Sequence, residues 1–277
     1  MPIFTLYWGG YFITPPSSEQ KLNDIPTYVD YVILAFAGPT KDSTIETSFL
    51  CSRYSSQLIK TWIKILQNKG IKVLMSLLDT PETHWDNIDL SIFANSVKEI
   101  VIDEWGCDGL DIDAESGMNP NNYVNKFVEL ATKLRKVIGD DLILTYTCYM
   151  GTNTYDGDIL KQIKDKINWI QLMAYFNSFN SMINLYNDYK TIMNDNICIG
   201  VKAGEPDMTP INEVKKLCKW NSKKKGIMLW TYNRDTSIYT NKPPLTWCHT
   251  IYNNLKKQPK YKLLCCFSAK NTYTNIY

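Results

Sequence analysis

The sequence repeats one pattern along most of its 277 residues. A short run of β-branched and aromatic residues ends in polar or glycine residues, and a longer amphipathic stretch follows, which is typical of βα units. Eight apolar runs can be counted, at 3–8, 31–37, 72–78, 109–115, 142–149, 169–176, 197–203 and 226–232. Amphipathic helices are predicted between them, for example over 56–69, 90–105, 122–138 and 211–219.

Eight such units in a chain of this length favour a closed barrel over an open doubly wound sheet. No G-x-G-x-x-G motif follows the first run, which argues against dinucleotide binding. We therefore predict the α/β class and a single (β/α)8 TIM barrel over 1–277, with 239–277 forming the last helix, near 245–256, and a C-terminal segment. In this fold the active site lies at the carboxyl ends of the strands.

Charge and composition narrow the possible partners. The 30 basic and 28 acidic residues leave a formal charge of +2, which gives no footprint for nucleic acid or an anionic membrane. No apolar run approaches the roughly 20 residues of a membrane span. The first residues read as a strand rather than a signal peptide, so an intracellular protein is expected, with a secreted protein that has lost its leader as the alternative.

The cysteines and histidines show no metal-binding pattern. The chain has eight cysteines without a C-x-x-C pair, and only two histidines. Several cysteines lie in apolar runs, where a reduced thiol packs as a small hydrophobic group. We expect free thiols, no metal and no cofactor.

The fourth apolar run carries three carboxylates. Because side chains alternate along a strand, Asp111, Asp113 and Glu115 point to the same face. Taken alone, the run fits a solvated edge or a magnesium site as well as it fits an acid. Its place in a barrel strand favours the interior, where repulsion and desolvation raise the pKa of at least one carboxyl. Glu115, at the carboxyl end, is then placed to donate a proton.

The segment from Asp108 to Glu115 matches the D-G-x-D-x-D-x-E pattern, and here the chain resembles glycoside hydrolase family 18, the chitinase family. Other strands are similar to its small class III plant chitinases, and the likeness covers nearly the whole barrel. The segments of this chain that carry the likeness are Leu6-Tyr7-Trp8-Gly9-Gly10, Tyr31-Val32-Ile33-Leu34-Ala35-Phe36 and Met228-Leu229-Trp230.

The resemblance implies a role for each carboxylate. Glu115 would be the acid and base, Asp113 would orient the N-acetyl group of the substrate, and Asp111 would hold Asp113. The nucleophile in this family is the acetamido oxygen of the substrate, an exception to the two-carboxylate scheme. An N-acetylglucosamine-containing oligosaccharide or polysaccharide is therefore the expected partner.

Further substrate contacts are implied by the same resemblance. Met173-Ala174-Tyr175 matches the M-x-Y motif of the sixth strand, which makes Tyr175 the hydroxyl donor to the acetamido oxygen. Trp230 would form the floor under the sugar, and Tyr7, Met173 and Asn177 would also contact the substrate. The alternative for Tyr175 and Trp230 is that they are ordinary core aromatics.

Two positions depart from the family pattern. The third strand usually ends in a serine and two glycines, whereas Ser76 is followed by Leu77 and Leu78, so that loop is expected to differ. Phe176 stands where the family has Asp or Asn, with Asn177 one place later. Both changes lie at the substrate end and put affinity, specificity and turnover in question.

The favoured function is hydrolysis of β-1,4 bonds next to N-acetylglucosamine, in chitin or chitooligosaccharides, by the substrate-assisted retaining mechanism. An endo-β-N-acetylglucosaminidase acting on the N-glycan core would use the same motifs. A non-catalytic lectin, storage or assembly protein is the alternative from another class, although buried carboxylates are costly to keep without a use. A metal-dependent enzyme is disfavoured, since His84 is predicted to lie on a surface loop.

Overall fold

Eight parallel strands close into a barrel in the computed structural model, which describes residues 1–12, 19–175 and 177–256. The first strand pairs with both the second and the last, so the sheet has no open edge at that point. The barrel strands are β1 (Ile3–Gly9), β2 (Tyr31–Pro39), β4 (Lys72–Leu77), β5 (Gly109–Asp113), β6 (Ile143–Cys148), β7 (Trp169–Leu172), β8 (Ile197–Lys202) and β9 (Gly226–Trp230). A two-residue strand, β3 (Ile45–Glu46), pairs antiparallel with the end of β2.

Helices cover the outside of the barrel. They are α1 (Ser56–Asn68), α2 (Leu90–Val97), α3 (Tyr123–Ile138), α4 (Tyr155–Ile163), α5 (Phe179–Met193), α6 (Ile211–Lys219), α7 (Ser237–Thr240) and α8 (Thr246–Ile251). α2 and α8 continue as π-helical segments, Lys98–Glu104 and Tyr252–Lys256. Among the described residues, no helix has the length and apolar character needed to cross a membrane.

The predicted (β/α)8 barrel is confirmed, with differences at the strand ends. The runs ending at Glu115 and Tyr232 leave the sheet earlier, at Asp113 and Trp230, because the backbone turns out of the ladder to form loops. The run 169–176 ends as a strand at Leu172, and its last residue, Phe176, lies outside the described residues.

Three helices were not assigned from the sequence: α4, α5 and the four-residue α7. The buried side of α5 consists of methionine and tyrosine rather than leucine or isoleucine, which weakens the apolar signal. These residues are Met182, Tyr186, Tyr189 and Met193.

The motif that carries the carboxylates begins with a structural residue. Asp108, at the amino end of β5, accepts hydrogen bonds from Lys72 Nζ at 2.7 Å and from the Val73 backbone nitrogen at 2.9 Å. Gln67 Nε2 donates to the same carboxylate at 2.9 Å. Asp108 therefore connects the start of β5 to α1 and β4. These contacts lie at the end of the barrel opposite the predicted site.

The cysteines that the structure describes are free thiols, and five of the six are buried. They are Cys51, Cys107, Cys148, Cys198, Cys218 and Cys248, of which Cys51 is partly exposed. Cys265 and Cys266 lie outside the described residues.

Closure of the barrel depends on a glycine at the start of β9. Gly226 lies opposite Ile3, and a Cβ atom at this position would lie 2.0 Å from the Ile3 carbonyl oxygen. We expect Gly226→Ala to lower the free energy of unfolding by about 2–3 kcal/mol, because β1 and β9 must move apart. Urea unfolding measures this change.

Gly70→Ala is the matched control, since nothing lies within 4 Å of a Cβ there and only the positive φ of 81° opposes the substitution. Its expected cost is about 1 kcal/mol. Equal losses in the two variants would contradict close packing at the closing strands.

Candidate active site

A cavity of about 80 Å³ lies at the carboxyl ends of the strands. Six of the eight predicted site residues line it: Tyr7, Asp113, Glu115, Met173, Tyr175 and Trp230. The other lining residues are Phe36, Leu78, Thr147 and Met228. Side chains from β1, β2, β5, β6 and β9, with residues that follow β4 and β7, therefore meet at one point, as this fold requires.

Asp111 lies beneath this cavity and has no exposure to solvent. Its carboxylate accepts hydrogen bonds from four hydroxyl groups, which compensate for part of the cost of burial. The donors are Tyr7 Oη at 2.9 Å, Ser76 Oγ at 2.7 Å, Thr145 Oγ1 at 2.6 Å and Thr147 Oγ1 at 3.0 Å. Burial nevertheless raises the pKa of Asp111.

Asp113 and Glu115 are the two carboxylates that line the cavity. Burial, followed by the charges of Glu115 and Asp111, raises the pKa of Asp113 well above its usual range. Glu115 lies just beyond β5 and is open to solvent on one side, yet desolvation also raises the pKa of its carboxyl. The Glu115 backbone nitrogen donates to Asp113 Oδ1 at 3.1 Å, which ties the two residues together. The pair therefore favours keeping a proton at pH values above those at which carboxyl groups ordinarily lose it.

Asp111 is expected to hold Asp113, and the structure instead gives Asp111 hydroxyl partners. Among the described residues, the hydrogen bonds of Asp111 come from hydroxyls, and Asp113 is held by a backbone nitrogen instead. The hold of Asp111 on Asp113 therefore stays a prediction. Tyr7 contributes its ring to the cavity, while its hydroxyl is held by Asp111 and by Thr147 at 2.7 Å.

Aromatic side chains form the apolar wall. Trp230 contacts the ring of Phe36 in a stacked arrangement, with 5.9 Å between ring centroids, and that of Tyr7 edge-on at 5.3 Å. Tyr175 is buried, and burial followed by the charges of Glu115 and Asp113 raises the pKa of its hydroxyl well above its usual range. Tyr175 thus remains a neutral hydroxyl beside the carboxylates.

Asn177 is placed differently from expectation. It is exposed, donates its side-chain amide to the Ala174 carbonyl oxygen at 3.3 Å, and is absent from the cavity wall. The turn after β7 explains this, because the amide caps the turn instead of facing inward. The neighbouring Phe176 lies outside the described residues.

The cavity continues into a wider cleft of about 510 Å³. Phe36 and Leu78 line both spaces, and Phe49 and Glu46 lie further out. Tyr11 stacks on Phe49, with 4.3 Å between ring centroids. Leu78, one of the departures from the family pattern, therefore lies at the junction of cavity and cleft.

The loop that follows β4 also reaches Glu115. His84 lies on this loop, as predicted, and its side chain, 26% exposed, lines a cavity together with Glu115. Asp79 accepts a hydrogen bond from His84 Nδ1 at 3.1 Å and another from Ser116 Oγ at 2.5 Å. The sequence signal for such a contact is that loops at the carboxyl ends of barrel strands carry functional residues.

Comparison with known proteins identifies the family. A family model described as the endo-beta-N-acetylglucosaminidase EndoS TIM-barrel domain matches residues 6–228, most of the chain. The chain belongs to this family. The residues that line the cavity lie within the segment 6–228 that matches the EndoS TIM-barrel family model, except for Trp230, which lies two residues beyond it.

A curated relative of this family member is endo-beta-N-acetylglucosaminidase F2 from Elizabethkingia meningoseptica, which is 28% identical over 126 residues. The match covers 44% of the chain and 37% of that protein, so the chain spans little more than a third of its relative's length.

Solved structures share the fold. A family 18 chitinase from Pseudoalteromonas aurantia has a TM-score of 0.70 and 18% identity, over 91% of this chain and 100% of the other. An endo-beta-N-acetylglucosaminidase from Cordyceps militaris has a TM-score of 0.66 and 19% identity, over 92% and 90%. The expected family 18 fold is confirmed, and these family and fold relationships support a glycoside hydrolase.

The raised pKa of Asp113 predicts a pH-dependent gain in stability for Asp113→Asn. The unfolded carboxyl titrates near pH 3.9, so between that value and the raised folded pKa the folded state binds more protons, and stability falls as pH rises. The isosteric amide removes this loss. We expect a gain of about 1 kcal/mol at pH 7, the scale of single stabilising substitutions, that shrinks toward pH 4.

Urea unfolding at the two pH values measures the difference. Asp165→Asn, at an exposed position, is the control and should show no such gain. A destabilised Asp113→Asn protein at pH 7 would contradict the cost assigned to the buried carboxylate.

Proposed function

We propose that this protein hydrolyses the β-1,4 bond that follows an N-acetylglucosamine residue. The observation that carries the proposal is the Asp113 and Glu115 pair at the wall of a cavity of about 80 Å³. The same cavity has the Tyr175 hydroxyl and the apolar surface of Trp230, so hydrogen-bonding and apolar groups meet beside the pair. An acetamido group fits this description, with the sugar ring above it against Trp230.

The residues divide the chemistry between them. Glu115, whose pKa burial raises, donates its proton to the glycosidic oxygen as the bond breaks. The acetamido oxygen of the substrate attacks the anomeric carbon, while Tyr175 donates a hydrogen bond to that oxygen and Asp113 stabilises the positive charge on the cyclic intermediate. Water then opens the ring with Glu115 as base, so configuration is retained.

The N-glycan core is the favoured substrate. The sequence relationships support this choice, because the matching family model and the curated relative are both described as endo-beta-N-acetylglucosaminidases. The bond between the two core N-acetylglucosamine residues is a β-1,4 bond next to an acetamido group, which the mechanism proposed for Asp113 and Glu115 requires.

Chitooligosaccharides are the second candidate. The cleft of about 510 Å³ runs outward from the cavity, and Phe36 and Phe49 in its lining offer aromatic surface for a row of sugar rings. The known chitinase structures of the same fold agree with this alternative.

Replacement of the acid tests the proposal. We expect Glu115→Gln, a nearly isosteric change, to lower kcat at least 100-fold, within the range of about 10²–10⁴ for general acid catalysis. Release is measured from a high-mannose glycopeptide and from fluorogenic chitotriose, and the preferred substrate decides between the two candidates. Glu129→Gln, exposed on α3, is the control with unchanged activity.

Wild-type protein that releases nothing from either substrate would overturn hydrolysis. Retained binding of the sugars would then indicate a lectin, and lost binding a storage or assembly protein.

The pH profile provides an independent test. The acid must be protonated, so kcat/KM should fall as pH rises through the raised pKa of Glu115. The basic limb is therefore expected above the ordinary glutamate value of about 4.3. A profile that falls through that ordinary value would contradict the assignment of Glu115 as the desolvated acid.

A further inference from the structure

A histidine and aspartate pair, His84 and Asp79, lines a cavity with Glu115 whose lining does not include Trp230. We infer that His84, held by Asp79, forms the binding site for the sugar of the leaving group, where its imidazole accepts a hydrogen bond from a sugar hydroxyl. This inference rests on the proposed function and adds a determinant of specificity to the same site.

Asp79 connects the loop after β4 with the loop after β5. Its side chain is only 2% exposed, and its Oδ2 atom accepts hydrogen bonds from His84 Nδ1 at 3.1 Å and from Ser116 Oγ at 2.5 Å. Ser116 directly follows Glu115, and its carbonyl oxygen accepts a hydrogen bond from Tyr123 Oη. The imidazole is therefore fixed relative to the acid rather than free to move on the surface.

Gly117 leaves the room that the imidazole occupies. A Cβ atom at Gly117 would lie 2.6 Å from His84 Cε1 and 3.2 Å from Nε2, so a side chain there would displace the ring. The ring packs instead on bare backbone, two residues beyond Glu115.

The imidazole lines a second cavity, of about 380 Å³. Its walls are Leu78, Asp79, Thr80, Pro81, His84, Glu115 and Gly117. Glu115 and Leu78 also line the cavity that contains Trp230, Tyr175 and Asp113. Because Glu115 protonates the oxygen of the bond that breaks, this bond lies where the two cavities meet. The sugar with the reacting acetamido group takes the Trp230 side, and the leaving group takes the His84 side.

The hydrogen-bond pattern sets the chemistry of the imidazole. A carboxylate can only accept, so the contact between His84 Nδ1 and Asp79 Oδ2 calls for a hydrogen on Nδ1, and in that tautomer Nε2 is the acceptor. Sugar hydroxyls supply the matching donors. A leaving group without hydroxyls gains nothing from this atom, and this difference makes the inference testable.

The test compares two leaving groups on the same glycone. One substrate releases a sugar, as a glycopeptide or chitooligosaccharide, and the other releases 4-methylumbelliferone. We expect His84→Ala to lower kcat/KM about tenfold on the sugar leaving group, the scale of one lost hydrogen bond, mainly through KM. Less than a twofold change is expected on the aryl glycoside.

His84→Asn separates contact from support. The asparagine amide reproduces the hydrogen bond of Nδ1 to Asp79 but has no group in the place of Nε2. It should therefore lose activity only on the sugar leaving group, as alanine does. His249→Asn, at the exposed second histidine, is the control without effect on either substrate.

Two results would overturn the inference. Equal losses on both leaving groups would assign His84 a structural role, and no loss on either would remove it from the site. Calorimetric binding of the same oligosaccharide to Glu115→Gln protein, with and without His84→Asn, repeats the comparison without turnover. A protein that binds but does not cleave would contradict the proposed hydrolysis and still decide the role of His84.

Discussion

The burial of Asp111 is the constraint on which the site depends. An ionisable carboxyl with no solvent exposure is costly inside a barrel, and here hydroxyl groups from β1, β4 and β6 converge to offset the cost. These hydrogen bonds cross the barrel interior, so they fix the position of β5 along the barrel axis relative to the neighbouring strands. Asp113, two residues on, thereby reaches the cavity floor, and Glu115 reaches the opening. The raised pKa of Asp113 follows from that same placement.

The site has three carboxylates in three environments, two on β5 and the third two residues beyond its end. Asp111 is surrounded by hydroxyls, Asp113 is buried beside two like charges, and Glu115 is desolvated on one side and open on the other. Asp111 and Asp113 share a face because side chains on a strand repeat every second residue. Trp230 and Phe36 line the same cavity as Asp113 and Glu115 and add apolar surface beside them.

Much of this was readable from the sequence. The alternation of apolar runs gave the barrel, and the period of two placed Asp111, Asp113 and Glu115 on one face. Local pattern could not place residues outside the ladders, because loop residues lack the periodicity that places strand and helix residues. Asn177 hydrogen-bonds to the Ala174 carbonyl oxygen, and His84 turns in toward Asp79. The hydrogen bonds from hydroxyl groups to Asp111 could not be predicted from the local sequence either, since Ser76 and Thr145 come from separate strands. Longer runs were predicted where the backbone leaves the sheet to build the site.

The anomeric form of the first product tests the central claim most directly, namely that the acetamido group of the substrate reacts above the Asp113 and Glu115 pair. Proton NMR spectra recorded in the first minutes of hydrolysis, before mutarotation, distinguish the two anomers. The proposed mechanism predicts the β anomer, because two displacements at the anomeric carbon retain configuration. An α anomer as the first product would show a single displacement by water and would contradict it.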